Sequence, residues 1–385
     1  MKRLPTFAQA TRIAVAAAGS LAVFALPAGS AAASPAPHPS GSEGPVFVQT
    51  DNTAANKVVA YHRAADGSLH RRGTFATGGK GGMLDGSVVD HLASQGSLAY
   101  DCAHHLLFAV NAGSDTVTVF SVDGDRLHRE QVIGSGGSFP VSVTVHQDRV
   151  YVLNAREGGS VQGYRIAGGG RLERVAGWNR HLGLDTTTAP EFTHTPGQVS
   201  FTPDGSQVVV TTKAGGSSID VFGVRPSGAL SARPVVNVES GAVPFGFTFD
   251  GRGRLVVTDA GTNAVLTFAI RRDGTAVRLD DAPTGEQATC WIVRAGDRFY
   301  ASNAGSNTLS GFRQTGRATL EPLGNTATGD GTVDSAVTPD QRFLYVQTGA
   351  TGGVDAFRVR PDGSLGKVGT VTVPDAVGGE GIVAL

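Results

Sequence analysis

Two stretches of this chain concentrate the side chains that could move a proton or steady an anion. Between Ala76 and Gly96 lie Lys80, Met83, Asp85, Asp90 and His91, and between Trp178 and Gly197 lie Arg180, His181, Asp185, Glu191 and His194. A histidine beside carboxylates is the minimum for general-base attack of water on a polarised carbonyl, and an arginine or lysine nearby supplies the charge that holds a developing oxyanion. The pattern nominates His91 or His194 as base, Glu191 as a neighbouring carboxylate, and Arg180 or Lys213 as the electrostatic partner. Gln198, Trp291 and Asp334 begin apolar segments and Arg156 follows one, so these four, with Lys213, are the candidate substrate contacts. The same polar residues also read as ordinary solvated loop side chains.

Other chemistries find less support. His104-His105 has only Cys102 near it at ligand spacing, so no metal site is expected. Gly168-Gly-Gly170 follows no strand-to-helix pattern and is not a phosphate loop, and no cofactor is expected. Cys102 and Cys290 fall in widely separated repeats, too far apart for a disulfide, and Cys290 reads as a buried small hydrophobe.

The elements that must position these groups are announced by repetition. A phrase of apolar strand, small-polar turn, second strand ending in an aromatic, and Gly-containing turn recurs from Val46 to the C-terminus. Its aromatics are Tyr61, Phe120, Tyr164, Phe222, Phe268, Phe312 and Phe357, at gaps of 59, 44, 58, 46, 44 and 45 residues. A period of about 45 residues predicts a β-propeller, and the two long gaps hold the two polar insertions. Gln198 to Gly205, Gln207 to Thr212 and Ser218 to Val224 read as successive antiparallel strands of one four-stranded blade, with Pro203-Asp204-Gly205 as a tight turn.

Six inner strands are visible, near Ser97, Ser142, Gln198, Phe245, Trp291 and Ser335, against seven second strands. The first blade lacks its inner strand. Gly381 to Leu385, apolar and uncharged, is predicted to pair with Val46 to Thr50, closing an all-β ring of seven four-stranded antiparallel blades without open edges. Both insertions are then expected on one rim, around the central channel.

Residues 1–33 carry Lys2, Arg3 and Arg12, an apolar run from Ile13 to Leu26 and Ala31-Ala32-Ala33, the pattern of a secretory signal peptide cleaved near Ala33. The run is short for a membrane anchor. Residues 34–45 form a Ser/Pro/Gly-rich leader, and residues 46–385 a single propeller domain, expected to be a monomer. Without the leader peptide the chain has 29 basic against 33 acidic residues, so a nucleic-acid surface is not expected.

With blades assigned, the wording resembles the lactonase-type seven-bladed propeller family, which includes 6-phosphogluconolactonases and carboxymuconate cyclases. The resemblance is carried by Ser200-Phe-Thr-Pro-Asp-Gly205, Val243-Pro-Phe-Gly-Phe-Thr-Phe-Asp250, Cys290-Trp-Ile-Val293, Ser302-Asn-Ala-Gly-Ser-Asn-Thr-Leu-Ser-Gly311 and Phe343-Leu-Tyr-Val346. It implies metal-independent opening or closing of a lactone or related cyclic ester at the channel mouth, with a sugar-derived ligand. It also implies a His, an Arg and a Glu at places that here read Gly197-Gln198, Phe245 and Gly261. The Asn303-Ala-Gly-Ser-Asn-Thr308 wording also resembles the repeats of extracellular surface-layer propellers, which implies the alternative of a non-catalytic module binding a cell-wall or secreted protein partner.

Overall fold

The computed structural model describes residues 43–316 and 318–385. The expected signal peptide, and the leader through residue 42, lie outside the described residues. Seven sheets of four antiparallel strands follow one another along the chain. Each runs from an inner strand outward, as the repeat required. The inner strands are Leu98–Asp101, Pro140–His146, Gln198–Phe201, Pro244–Phe249, Thr289–Ala295 and Thr332–Val337 for the second to seventh blades.

The first blade takes its inner strand from the other end of the chain. Ile382–Ala384 pairs antiparallel with Gly44–Gln49 in the register Val46↔Ala384, Phe47↔Val383 and Val48↔Ile382. Flanking bonds from Gln49 N to Gly381 O (2.8 Å) and Leu385 N to Pro45 O (2.9 Å) extend the seam. The ring is therefore closed by strand exchange between its first and last segments, which leaves no exposed inner edge.

Apolar residues of neighbouring blades interdigitate to form the core. Val256 and Val265 of the fifth blade meet Ile292 and Phe299 of the sixth, and Val46, Val48 and Ile382 meet Phe343 and Tyr345 of the seventh. A repeated polar clamp reinforces these seams. Tyr151, Tyr300 and Tyr345, at matching places on second strands, donate their hydroxyls to the carbonyls of Gly228, Gly363 and Gly67 in the outer hairpin of the next blade. Burial raises all three phenols, Tyr300 to about 12, so they remain donors throughout the physiological range.

One boundary differs from the sequence reading. The outer strand of the third blade runs on to His181 (Leu172–His181), so Trp178 and Arg180 belong to the sheet rather than to the second insertion. A register shift between Gln162 and Tyr164 restores pairing beyond the bulge, and Trp178 stacks on Tyr151 with ring centroids 5.9 Å apart. Burying that indole supplies the reason for the extra strand length. Among the described residues no helix is long and apolar enough to cross a membrane. Both cysteines are free, Cys102 exposed and Cys290 buried.

Candidate functional site

The first insertion does not stand up around the channel; it lies across it. Gln95 donates its backbone N–H to Gly197 O (3.1 Å), and its side-chain amide pairs with both backbone groups of Ile292, each at 3.0 Å. Ser94 donates to Val141 O (2.9 Å) and accepts the indole N–H of Trp291 on its carbonyl (2.6 Å). His91 N reaches Gly378 O (2.9 Å). Within five residues the insertion touches the third, fourth and sixth blades and the connector that closes the ring, which only a segment crossing the axis can do. A Cβ on Gly349 or Gly246 would strike Val89 O or the Gln95 side chain, so both positions need glycine for this close approach.

Lys213 ties this plug to the second insertion. It follows the second strand of the fourth blade in a left-handed conformation (φ 49°), 1% exposed. Its ammonium donates to Ala93 O (2.6 Å) on the plug, and to Phe192 O (2.6 Å) and Thr195 Oγ1 (3.0 Å) on the second insertion. Burial pulls this amine down to about 7, with Asp90 opposing the shift. The two carbonyls take two of its protons and the Thr195 hydroxyl, which can accept from the ammonium or donate to the neutral amine, completes the shell, so Lys213 keeps its ties in either protonation state. The ring of Phe245 lies 5.3 Å from Nζ and adds cation–π stabilisation.

Around the plug sit four buried carboxyl groups: Asp51, Asp90, Asp334 and Glu380. Desolvation pushes Asp51 up to about 8, Asp334 to about 7 and Asp90 to about 6, and raises Glu380, which the neighbouring acids raise further. Asp90 accepts the plug's own amides at Leu92 (2.8 Å) and Ser94 (2.9 Å) and shapes its turn.

With the channel filled, the polar opening on this side of the ring lies between the third and fourth blades. It is a cleft of about 60 Å³ lined by Arg156, Glu157, Asp185, Glu191, His194 and their neighbours, room for a few waters or one small ring. Arg156 and Glu191 form a bidentate pair, Nε to Oε1 2.7 Å and Nη2 to Oε2 3.1 Å. Arg156 also stacks over Phe139 at 4.4 Å. The guanidinium holds Glu191 below the usual carboxylate range, helped by Asp85 N donating at 2.8 Å. His194 ends a one-turn helix, Glu191–His194, and its Nδ1 lies 2.9 Å from both Pro190 O and Thr193 Oγ1. The Pro190 carbonyl can only accept, so Nδ1 carries the proton and Nε2 keeps a free lone pair.

Residues 80–380 match the family profile described as "Lactonase, 7-bladed beta-propeller". The chain belongs to the seven-bladed lactonase β-propeller family. Its architecture is similar to that of the Pseudomonas aeruginosa periplasmic gluconolactonase PpgL, at 19% identity and TM-score 0.70 over 89% of this chain and 98% of that one. A Lactobacillus plantarum protein is similar at 20% identity and TM-score 0.71, covering 89% and 99%. A Bacteroides fragilis protein to which 6-phosphogluconolactonase activity is ascribed is similar at 18% identity and TM-score 0.70, covering 90% and 99%. These are likenesses of fold. No curated protein matches the sequence significantly.

In this lactonase propeller the residues singled out from the sequence fall into three groups. Arg156, Glu191 and His194 converge on the cleft. Lys213, Gln198, Trp291 and Asp334 are buried around the channel, where Gln198 Oε1 accepts Phe247 N (2.6 Å) and His91 packs against Gly378. Arg180 points along the seam between the third and fourth blades, donating to Ser231 O and Leu230 O, each at 2.7 Å. Sequence reasoning did not single out Asp51, whose only signal in the sequence is an acidic residue just after an apolar strand; the structure places it in a turn at positive φ (47°).

Proposed function

We propose that this lactonase-family propeller is a secreted enzyme that opens, or in reverse forms, a small lactone in the cleft between its third and fourth blades, without a metal in the reaction. The observation that carries the reading is the 2.9 Å contact of His194 Nδ1 with Pro190 O, which assigns the proton to Nδ1 and leaves Nε2 as the basic nitrogen in a cleft that the Arg156–Glu191 pair also lines. Water attacks the ester carbonyl as His194 Nε2 takes its proton. The tetrahedral oxyanion faces the Arg156 guanidinium, which Glu191 and Phe139 orient. Collapse breaks the ring C–O bond, and the imidazolium returns the proton to the departing alkoxide, giving an open hydroxy acid. The test is a panel of sugar and muconate lactones offered to the purified mature protein. Opening faster than buffer, with at least a hundredfold loss in His194→Ala and an unchanged melt, supports the reading; equal rates with and without protein sink it.

The filled channel favours a second reading, a rigid display surface. Val88 is 80% and Val377 60% exposed, on segments that both pack against the Thr348–Gly353 turn of the seventh blade. An extracellular protein or cell-wall partner would then be the ligand, and retention on isolated cell wall, lost in Val88→Lys, is its measurable sign.

A further inference from the structure

The segment that fills the channel sits in a surplus of hydrogen-bond acceptors. Asp51 and Gln49 come from the first blade, Asp334, Ser335 and Gln347 from the seventh, Asp90 from the plug, and Glu380 from the connector into the closing strand. All seven side chains are at least nine-tenths buried. Glu380 accepts from Ser94 Oγ (3.1 Å) and Ser97 N (3.3 Å), and Asp51 accepts from Glu380 N (2.8 Å) and the Gln49 amide. Among the described residues no group donates to Gln49 Oε1 or Gln347 Oε1, and none pairs with Ser335 Oγ. Lys213 gives its protons to Ala93 O on the plug and to Phe192 O and Thr195 Oγ1 on the second insertion, rather than to these carboxyl groups. Carboxyl groups packed this way want protons, because a neutral carboxylic acid donates one hydrogen bond and removes the repulsion among its neighbours.

We infer that Leu84 to Ser97 is a proton-locked plug: Glu380 ties it down at Ser94 and Ser97, protonation of the buried Asp51, Asp334 and Glu380 removes their repulsion of Asp90 on the plug, and their ionisation at alkaline pH releases the segment and opens the channel to solvent. This device stands apart from the hydrolytic reading of the cleft. The sign follows from proton affinity. These acids bind protons more tightly when buried than when hydrated, so closure is fully stabilised below the ordinary carboxylate range. That stabilisation drains away as pH rises through about 6, 7 and 8, where Asp90, Asp334 and Asp51 titrate.

The other groups facing the plug do not reverse this. Lys213 is lowered to about 7 and by itself favours closure as pH rises through the same window, but it is one amine set against four raised carboxyl groups, so the net sign stands. His91, on the plug, is lowered by burial, so it too favours closure as pH rises, but at the acid end of the window and as a single group. Cys290 is pushed up to about 12 and stays a thiol, and Glu191 is held low by Arg156 and stays charged. Gly81-Gly82 and the left-handed Gly96 (φ 88°) flank the segment and give it places to pivot.

Trp291 reports on the lock directly, since its indole N–H is bound to the plug at Ser94 O. The chain has two tryptophans, so Trp178→Phe isolates the signal. Emission of this variant and hydrogen-exchange protection of 84–97, corrected for the intrinsic rate, are followed from about pH 5 to 9.5 in chelator-treated buffer. The expected result is a red shift and at least a tenfold loss of protection with a midpoint between about pH 6 and 8, while far-UV circular dichroism holds constant. Asp334→Asn/Glu380→Gln is expected to keep the plug closed across the range, and Asp51→Asn to shrink the transition if the double variant does not fold. A pH-independent wild-type plug overturns the proposal. So does an unchanged transition in a folded neutral variant, or a stoichiometric bound metal ion whose removal at constant pH opens the channel.

Discussion

Replacing Lys213 by methionine keeps the length and bulk of the stem and deletes the ammonium. The change takes the donor from Ala93 O, Phe192 O and Thr195 Oγ1 in a site where Lys213 itself is 1% exposed. Each charge-assisted bond contributes about 1.5–3 kcal/mol net, but the three share one donor and do not add. A buried acceptor left unpaired costs about 1–3 kcal/mol, and with the two carbonyls stranded and the Thr195 hydroxyl free to turn, we adopt about 3–5 kcal/mol for the site. A domain of about 340 residues unfolds with an entropy near 0.7 kcal/mol/K, so the melting temperature should fall by about 4–7 °C. Differential scanning calorimetry of the mature protein measures it. Because Asp90 faces Lys213, Lys213→Met/Asp90→Asn should recover about 1–3 kcal/mol relative to the sum of the single changes. A fall under about 1 °C, or a rise, would refute the claim that this cation ties the two insertions together.

Three further outcomes are expected. Deleting Gly381 to Leu385 removes the inner strand of the first blade, its flanking bonds to Gln49 and Pro45, and the bond from Arg63 to Leu385 O; the loss should be about 5 kcal/mol or more, seen as a thermal melt lowered by at least about 7 °C. Gly349→Ala drives a Cβ into Val89 O and should cost about 1–3 kcal/mol, with hydrogen exchange rising in 84–97 while the blade strands keep their protection. Arg180→Ala frees the carbonyls of Leu230 and Ser231 and should lower stability by about 1–3 kcal/mol in a denaturant melt, yet leave lactone opening within twofold of wild type.

Much of the ring was legible because its determinants are local and repeated. Aromatics from Tyr61 to Phe357 keep one register, Asp-Gly hairpins mark outer turns, and an uncharged terminal pentapeptide matched the missing strand. The convergence of Arg156, Glu191 and His194 was half legible: residue types named them, but their meeting depends on a contact across 35 positions. The direction of the first insertion was not legible. Its polar composition reads as a solvated rim, whereas Asp90 and Ser94 are buried against backbone amides and carbonyls that no residue pattern displays. Arg180 was misplaced for a related reason, since a bulge lengthens the outer strand that carries it. Lys213 illustrates the general limit, because a charged residue after a strand reads as solvent-facing until its three acceptors are seen.

The reaction site is tested most directly by a crystal structure of the mature protein with a sugar lactam, an unreactive mimic of the lactone. The account predicts the lactam in the cleft between the third and fourth blades, its carbonyl carbon facing His194 Nε2 and its oxygen toward Arg156, with the plug undisturbed. A lactam bound in an opened central channel, or none bound at saturating concentration, would contradict it.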